Sequence, residues 1–504
     1  MYVLGTDVYQ QKRRELLLQK VKPDTDNHEP VIVGFFHPYA SAGGGGERVL
    51  WTAIEGIQQK HPHIVSVVYT GDDGLDKQGI IEKVENGFGI KINPDTIEFI
   101  FLKKRSWTNH KYPYLTILLQ SIGSIILVTE ALIKCLPDIF VDTLGYGFTY
   151  PYIYYLSHMT PIVSYTHYPL ISSDMIKNVQ AREGTFNNST DIAQSSTLSK
   201  SKLYYYKVLK FLYGWSGWHA STVMTNSSWT QGHIESMFGK SPMIKIVYPP
   251  CDTNALGKFE LQPRNPWLVS LAQFRPEKGH ALQVQSFAKF LEQNREYKKP
   301  KATGPALKNT VNTPEDIDSK DGYPHLIIIG GARNIEDEAR AESLRQLSIR
   351  LGVENQIHVI TNATFSQIKS WLSVSLIGLH TMTDEHFGIG IVEFMSAGLI
   401  PIAHDSAGPK MDIVVPAHLV KPSTEGKYSD FDEANIVGFL ANSSEDYAST
   451  FSHVLKMPKE QQKSVQQNAR KKALTSFSTE SFINAFMKRF DPVLVWLDNQ
   501  RSPE

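Results

Sequence analysis

The sequence predicts an α/β protein with two Rossmann-like domains, each built around a parallel sheet. Its 504 residues are too many for one hydrophobic core, so two domains are the default expectation. Strand-like apolar runs alternate with helical patterns along both halves, which favours parallel βαβ units. This alternation stops at Pro249-Pro250, because proline cannot continue a central strand. We therefore expect a lead-in over residues 1–30, a first domain over 31–258 and a second over 259–477.

The composition is that of a globular protein and excludes several classes of function. Hydrophobic residues make up 41% of the chain and charged residues 20%. Lys plus Arg and Asp plus Glu both total 51, so the net charge is zero, which argues against nucleic acid as a partner. Cys135 and Cys251 cannot form a disulfide framework, so a reducing compartment fits best. No Cys/His cluster has metal-ligand spacing, and we predict no metal site.

Apolar runs typical of buried strands recur through the first half. They are Val31–Phe36, Ile64–Tyr69, Thr96–Leu102, Ile139–Val141, Pro161–Tyr165, a run that begins at Val223, and Ile244–Tyr248. The first strand leads into consecutive glycines, Gly43 to Gly46, and then a helical pattern. This geometry lets a phosphate or a sugar lie against backbone, and we assign Gly44 and Gly45 to donor binding; a flexible turn is the alternative. The glycines match neither a Walker A loop nor a dinucleotide fingerprint.

His167 follows the strand that ends at Tyr165. Ligands of open α/β sheets bind at the carboxyl ends of the strands, which places His167 where a ligand is expected. A histidine with a purely structural role would also fit this position.

Two further segments of the first half interrupt the βα pattern. Residues 112–134 contain an apolar stretch that is shorter than the roughly 20 residues needed to span a bilayer, and Gln120 interrupts it. It is either a core helix or a helix that lies in a membrane interface between basic flanks. Residues 181–201 are rich in Ser, Thr and Asn and predict a mobile loop.

The second half restarts with a strand at Trp267–Ala272 and continues with strands at His325–Gly331, Gln356–Thr361, Val374–His380 and Leu399–Ala403. After the first of these strands, Arg275 and Lys278 could together neutralise a diphosphate, or could be two solvated cations. Residues 295–322 break the pattern and predict a surface insertion with no role in the core.

The segment Thr383–Gly398 turns from a strand through a polar loop into a helical pattern. Glycines at 388 and 390 would let a ligand approach backbone N–H groups at the start of the helix, which is a site suited to anions. Glu385 and Glu393 flank these glycines, and carboxylates accept hydrogen bonds from sugar hydroxyls strongly. The segment therefore suits a sugar joined to a phosphate, although two solvated acids would leave the same pattern.

Glu385-x7-Glu393 within EHFGIGIVEFMSAG resembles the donor motif of the family 4 retaining glycosyltransferases. The resemblance implies the GT-B fold, with two facing Rossmann-like domains, parallel sheets and a cleft between them. It implies that Glu385 faces the hexose, that the backbone at Gly388 and Ile389 meets the diphosphate, and that Glu393 holds the ribose. We also assign Phe387 to donor binding. The resemblance also implies that His167 contacts the hexose, so we assign Glu385 and His167 to catalysis. A last helix over 478–504 would cross back to the first domain.

Within that family the chain is similar to the α-1,2-mannosyltransferases of N-glycan precursor assembly, on the motifs FFHPYASAGGGGERVLW, SYTHYPLISSDM, VYPPCDT and LAQFRPEKGH. This implies transfer from GDP-mannose to a dolichyl-diphosphate-linked oligosaccharide, adding the fourth and fifth mannoses, with no cofactor and no metal. It also implies a membrane surface at the cytosolic face of the endoplasmic reticulum and association with other early mannosyltransferases.

Two features depart from the family pattern. Family members have an arginine five positions before the motif lysine, where this chain has Gln273. The diphosphate role of Arg275 therefore requires that its side chain reach the diphosphate from a different position. Most relatives also begin with a membrane anchor, and residues 1–30 are too polar to provide one.

Three alternative functions remain open. They are a lipid-linked mannosyltransferase of different linkage, a non-catalytic GT-B scaffold in a membrane complex, and a nucleotide-dependent oxidoreductase. The absence of a dinucleotide-binding fingerprint disfavours the oxidoreductase.

Overall fold

The computed structural model describes residues 7–24, 29–72, 74–108, 112, 115–171, 179–180, 196–261, 264–300, 311–318, 320, 322–416, 418–419 and 435–501. The chain divides into two compact units: Met1–Pro250 with Phe482–Glu504, and Cys251–Ser481. The boundary falls between Pro250 and Cys251, ahead of the predicted 258/259. The reason is that the Cys251 N–H donates to the Phe477 carbonyl at 3.0 Å, which ties it to the second unit.

The first unit contains a parallel sheet in the order β3-β2-β1-β4-β5-β6-β7. Its strands form where the sequence predicts them, because most of them are apolar runs that the fold buries. They are β1 (Val31–Phe36), β2 (Ile64–Thr70), β3 (Ile97–Phe101), β4 (Ile139–Asp142), β5 (Ile162–Thr166), β6 (Thr222–Thr225) and β7 (Ile244–Ile246). From β1 the chain first adds strands on one side of the sheet, β2 and β3, and then on the other side, from β4 to β7. The point between β1 and β4 is therefore a topological switch point, where α/β sheets bind ligands.

The helices before residue 250 are α1 (Asp7–Leu18), α2 (Gly45–Lys60), α3 (Lys77–Phe88), α4 (Thr116–Lys134), α5 (Thr149–Leu156), α6 (Ser196–Gly217) and α7 (Ser228–Phe238). Part of the lead-in is therefore a helix, and Leu17 at its end is buried in the core. The predicted loop over 181–201 lies outside the described residues up to 195, and residues 196–201 begin α6 instead.

Helix α4 contains most of the apolar stretch. By length and composition it could cross a membrane, with a mean hydropathy of 1.8 and 33% of that window buried. Gly123 lets it approach the turn Arg105–Thr108, since a Cβ at this glycine would lie 2.2 Å from the Trp107 carbonyl oxygen. Leu115, Ile122 and Ile133 remain exposed, so α4 is only partly a core helix.

The second unit contains another parallel sheet, in the order β10-β9-β8-β11-β12-β14-β13. Its strands are β8 (Asn265–Leu271), β9 (Leu326–Gly330), β10 (Ile357–Thr361), β11 (Ser375–Leu379), β12 (Ile400–His404), β13 (His418–Leu419) and β14 (Phe439–Ala441). Its helices are α8 (Thr253–Leu256), α9 (His280–Gln293), α10 (Ile335–Arg350), α11 (Phe365–Val374), α12 (Ile389–Ala397), α13 (Ser444–Lys456) and α14 (Lys459–Ser476). Here the topological switch point lies between β8 and β11, because β9 and β10 follow on one side of β8 and the later strands on the other.

The prediction that residues 295–322 play no role in the core is wrong for the part that the structure describes. Ile317 is buried among Trp267, Trp371 and their neighbours, and the Trp371 indole N–H donates to the Asn312 carbonyl at 3.1 Å. This part of the insertion covers one face of the second core. Residues 301–310 lie outside the described residues.

The last helix, α15 (Thr479–Arg501), packs against the core of the first unit. Phe482, Phe486 and Phe490 recur every four residues, stack on one another and are buried in that core. His61 Nε2 lies 2.9 Å from Asp491 Oδ1, on the same helix. The helix completes the first unit although it follows the second unit in the chain.

Arg264 holds several segments of the second unit together. It is 7% exposed, and burial, followed by the charge of Arg470, lowers its pKa to about 10. Its guanidinium donates to the backbone carbonyls of Glu260, Leu261, Leu372, Ser375 and Ala397. Gln466 Nε2 bridges two of the same segments, since it donates to the Leu261 carbonyl at 3.3 Å and to the Gly398 carbonyl at 2.7 Å.

We expect Arg264→Met to destabilise the second unit by about 2–4 kcal/mol, since buried carbonyls would lose their donors. Differential scanning calorimetry of the whole chain measures the shift of the transition. Arg350→Met, an exposed arginine at the end of α10, is the matched control and should leave the transition unchanged. Equal transition temperatures of the two variants would contradict this role of Arg264.

Candidate functional site

The main site residues of the second unit lie at the switch between β8 and β11. Lys278 follows β8 in a short turn, Pro276–Lys278, that ends at Gly279 with a φ of +66°. His380 comes directly after β11, and Glu385 lies in the loop that leads to α12. Because both strands are parallel neighbours, their carboxyl ends bring these three side chains together.

Glu385 contacts Lys278 and His380 through one oxygen. Lys278 Nζ donates to Glu385 Oε2 at 2.7 Å, and His380 Nε2 lies 3.2 Å from the same oxygen. Lys278 Nζ also lies 3.1 Å from the Met382 sulfur. All contacts of this carboxylate recorded among the described residues use Oε2, so Oε1 remains open to a ligand hydroxyl.

The pKa of Glu385 is held well below its ordinary value. Burial alone would raise it, but the contact with His380 and then the charge of Lys278 outweigh burial. Glu385 is therefore ionised at neutral pH. It can accept hydrogen bonds and stabilise positive charge, but it cannot serve as a general acid there.

A hydrogen-bond network fixes the backbone that carries this cluster. Thr381 Oγ1 donates to the carbonyls of Lys278 at 3.1 Å and Gly279 at 3.2 Å. Gln283 Nε2 donates to Thr381 Oγ1 and to Ser270 Oγ, both at 2.9 Å. The two strand-end loops are thus joined beneath the Lys278–Glu385 pair, which limits how far the pair can shift.

The loop after Glu385 ends at Gly388, which starts helix α12 with a φ of +114°. Only glycine adopts such a backbone readily, and it offers no side chain to cap the helix. The Ile391 N–H already donates to the Gly388 carbonyl at 2.9 Å. For the N–H groups of Ile389 and Gly390 the structure records no partner among the described residues, which leaves them available to an anion.

A second glycine, Gly408 in the segment after β12, contacts this loop. The Gly408 N–H donates to the Glu385 carbonyl at 3.0 Å. A Cβ at Gly408 would lie 2.5 Å from the His386 carbonyl oxygen, so no larger residue fits without moving the loop. The loop that follows β12 therefore contacts the loop that carries Glu385.

The remaining predicted donor residues occupy different environments. Phe387 is buried with its ring 5.4 Å from that of Phe477, so only its backbone is placed to meet a ligand. Glu393 is half-buried on the second turn of α12. Arg275 lies 3.8 Å from Glu277 and does not join Lys278, although its buried Nε has no hydrogen-bond partner among the described residues.

A second cluster lies at the switch between β1 and β4 of the first unit. The Gly44 N–H caps helix α2 by donating to Glu47 Oε2 at 2.5 Å, and Glu47 Oε1 lies 3.2 Å from His37 Nε2. His37 Nδ1 lies 2.7 Å from Thr143 Oγ1. The anion at this helix terminus is therefore a carboxylate of the chain itself, while Gly43 to Gly45 stay exposed.

His167 lies beside this cluster. Its Nε2 is 3.0 Å from the Thr143 carbonyl oxygen, and its own carbonyl accepts from Asn226 Nδ2 at 2.9 Å. A Cβ at Gly46 would lie 3.6 Å from His167 Nε2, so the first turn of α2 packs against the imidazole. The structure thus brings His167 and the glycine loop together.

Sequence reasoning missed His37, Glu47 and His380. Glu47 carries a signal that could have identified it, because it stands three residues after the helix cap, where a carboxylate reaches back to the cap N–H. His380 is the first residue after a buried strand, the same signal that identified His167. No group of three or more His, Cys, Asp or Glu side chains is arranged to hold a metal among the residues the structure describes.

We expect His380→Phe to reduce the chemical step by roughly tenfold to a hundredfold, because Glu385 would lose one of its two orienting contacts. His380→Gln keeps an N–H donor and should recover part of the rate. Initial rates at saturating substrates, with a melting curve for each variant, separate loss of orientation from loss of fold. Equal rates for the Phe and Gln variants would count against this positioning role.

Comparison with known proteins finds close relatives along most of the chain. A human protein named GDP-Man:Man(3)GlcNAc(2)-PP-Dol alpha-1,2-mannosyltransferase is 42% identical over 482 residues, which cover 94% of this chain and 90% of the human protein. A mouse protein of the same name is 40% identical over 481 residues, with the same coverage of 94% and 90%.

Two family models match the two halves. ALG11 mannosyltransferase N-terminus matches residues 30–238, and Glycosyl transferases group 1 matches residues 253–472. Among solved structures, the sucrose-phosphate synthase of Thermosynechococcus elongatus superposes with a TM-score of 0.60 at 12% identity, covering 92% of this chain and 99% of that one. The structural likeness confirms the predicted GT-B fold.

Proposed function

This chain belongs to the family of the GDP-Man:Man(3)GlcNAc(2)-PP-Dol alpha-1,2-mannosyltransferases, and we propose that it catalyses the reaction that their name describes. It would transfer mannose from GDP-mannose, in α-1,2 linkage, to a dolichyl-diphosphate-linked oligosaccharide, adding the fourth and fifth mannoses of the N-glycan precursor. The observation that carries the proposal is identity of about 40% over nearly the whole chain, including both halves.

The second unit supplies the groups that such a donor requires. The N–H groups at the start of α12, which have no recorded partner among the described residues, and the buried Nε of Arg275 would bind the diphosphate, and Lys278 would add positive charge. Glu385, ionised and open at Oε1, would accept hydrogen bonds from the mannose hydroxyls. Glu393 would hold the ribose, and His167 remains our candidate for a further contact to the mannose.

The chemical step would break the bond between the mannose anomeric carbon and the diphosphate. Negative charge develops on the leaving diphosphate, and fixed N–H donors and cations stabilise that charge. Positive charge develops on the sugar ring, which the Glu385 carboxylate stabilises. The donor and the product are both α-linked, so the configuration is retained, and the leaving phosphate would take the proton of the attacking hydroxyl.

We further propose that no metal takes part, because the helix terminus and Lys278 supply the positive charge. Transfer should then proceed at the same rate with and without EDTA. A loss of activity in EDTA that added Mg²⁺ or Mn²⁺ restores would overturn this part of the proposal.

We propose that the protein works at the cytosolic face of the endoplasmic reticulum membrane, in association with other early mannosyltransferases. Helix α4 exposes Ile122 and Ile133, Leu115 just before it is exposed as well, and α6 exposes Tyr204 and Phe211. These side chains give the first unit apolar surface suited to a membrane. Flotation of the purified chain with anionic vesicles tests the membrane contact, and recovery in the soluble fraction would contradict it.

A donor competition assay tests the proposed donor. Purified protein receives dolichyl-diphosphate-linked Man3GlcNAc2 and either radiolabelled GDP-mannose or a radiolabelled UDP-hexose. We expect label in the lipid-linked product from GDP-mannose alone, and competition by unlabelled GDP but not UDP. Equal transfer from the UDP-hexose, or none from GDP-mannose, would refute the donor assignment.

A further inference from the structure

A buried polar network joins the glycine loop to His167 at the switch point of the first unit. His37, Thr143 and His167 are each the first residue after a strand, namely β1, β4 and β5. These strands are parallel neighbours, so their carboxyl ends bring the three side chains together. His37 and Thr143 are 0% exposed, and Glu47 on the first turn of α2 is 7% exposed. Any effect of these buried groups on a substrate therefore passes through the residues that they hold.

The directions of the hydrogen bonds follow from the Glu47 carboxylate. Burial alone would raise its pKa, but the hydrogen bond and charge of His37, and then the Gly44 N–H, outweigh burial and lower the pKa. The ionised carboxylate can only accept, so the Gly44 N–H donates to Oε2 at 2.5 Å and His37 Nε2 donates to Oε1 at 3.2 Å. Two donors on two oxygens fix this side chain between the glycine loop and the end of β1.

Thr143 extends the network to His167. Its Oγ1 lies 2.7 Å from His37 Nδ1, and its carbonyl oxygen lies 3.0 Å from His167 Nε2. A carbonyl can only accept, so His167 Nε2 carries the hydrogen, and Thr143 thereby sets the tautomer of this imidazole. The network has five members, which are in order Gly44, Glu47, His37, Thr143 and His167. Its three middle members are shielded from water, where hydrogen bonds are strong and a broken one is costly.

We infer that Glu47, His37 and Thr143 are positioning residues, which hold the glycine loop and His167 in the geometry that mannose transfer requires. The inference rests on the proposed function, under which His167 and the glycine loop meet the donor, and it adds the residues that keep them in place. A displacement of about 1 Å at a reacting group costs on the order of a hundredfold in rate. A network that touches no substrate therefore still governs turnover.

Thr143→Val tests the link to His167, because valine keeps the shape of the side chain and removes the hydroxyl. Thr143→Ser keeps the hydroxyl and is the conservative partner. We expect kcat to fall by about 10- to 100-fold in Thr143→Val and to recover most of its value in Thr143→Ser. The Kd for GDP, which lacks the mannose, should equal that of the parent protein in both variants, and a melting curve reports on the fold. Equal kcat values in folded Thr143→Val and Thr143→Ser would overturn the inference.

Glu47→Gln tests the other end of the network. An amide offers one acceptor oxygen, so both contacts of Glu47 survive only if His37 reverses its tautomer. Hydrogen–deuterium exchange of the peptide that contains Gly44 measures the loss without requiring activity. We expect the Gly44 amide to exchange roughly tenfold faster in Glu47→Gln. Glu85→Gln, which removes an exposed glutamate of α3, is the matched control and should exchange at the parent rate.

Unchanged exchange at Gly44 in a folded Glu47→Gln protein would overturn the inference. If this variant does not fold, exchange in Thr143→Val takes its place with the same expectation. Transfer by the parent protein tests the proposed function separately. A parent protein that transferred no mannose would refute that function, while the exchange measurement would still decide whether the network holds the glycine loop.

Discussion

Glu385→Gln will reduce mannose transfer by about 10²–10³-fold while the protein remains folded. The substitution keeps the shape of the side chain but removes the charge that Lys278 and His380 stabilise against burial. The amide is a weaker acceptor for the sugar hydroxyls and cannot stabilise positive charge on the ring. Initial rates with GDP-mannose and the lipid-linked acceptor measure the loss, and calorimetric melting reports on the fold.

Glu354→Gln is the matched control for this experiment. Glu354 is an exposed glutamate of the same unit, so its substitution removes the same charge without touching the site. We expect the control to retain full activity. If Glu385→Gln also retained full activity, Glu385 would not contact the donor sugar, and the site would have to be sought elsewhere.

Because the pKa of Glu385 is depressed, its carboxylate remains charged as the pH falls through the ordinary range of glutamate. Its stabilising pairing is therefore present above its unfolded pKa and is lost only when the pH falls through the lower folded pKa. Any decline of the transfer rate between pH 8 and pH 5 should thus be the same in the protein and in Glu354→Gln, and should not reflect Glu385.

Lys278→Ala will weaken the binding of GDP-mannose by about 10- to 100-fold. The variant removes a cation from the expected diphosphate site and leaves the Glu385 carboxylate with His380 alone, so both ends of the donor lose affinity. Isothermal titration calorimetry with GDP-mannose measures the effect. Lys463→Ala, an exposed lysine of α14, is the control for loss of charge.

GDP alone separates the two roles of Lys278. If Lys278 acts on the diphosphate, the affinity for GDP falls along with that for GDP-mannose. If it acts only by holding Glu385, the affinity for GDP stays unchanged while that for GDP-mannose falls. Unchanged affinity for both ligands would contradict every role that we assign to this lysine.

Local sequence pattern was sufficient for most of the fold. Buried parallel strands are apolar runs of a few residues, so β1 and β8 lie within two residues of their predicted limits. β13 and β14 were missed because such short strands leave no periodic signal. The domain boundary was placed too late because Cys251 is bound to Phe477, which no local pattern reveals.

The candidate site was predictable one residue at a time, but its geometry was not. Lys278 and Glu385 were identified separately, as a diphosphate ligand and a hexose ligand, yet they form an ion pair across 107 positions of the chain. Likewise, Gly44 was expected to meet the donor, whereas its N–H is bound to Glu47. These contacts depend on the order of strands in the sheets, which the sequence implies only through the family resemblance.

The most direct test of the central claim is linkage analysis of the product. Purified protein would be incubated with radiolabelled GDP-mannose and dolichyl-diphosphate-linked Man3GlcNAc2, and the released glycan would be sized and digested with an α-1,2-specific mannosidase. Our account predicts a product longer by two mannoses, both removed by that enzyme. A labelled product that resists the α-1,2-specific mannosidase would contradict the proposed linkage, and no labelled product from a protein that binds GDP-mannose would contradict the proposed acceptor.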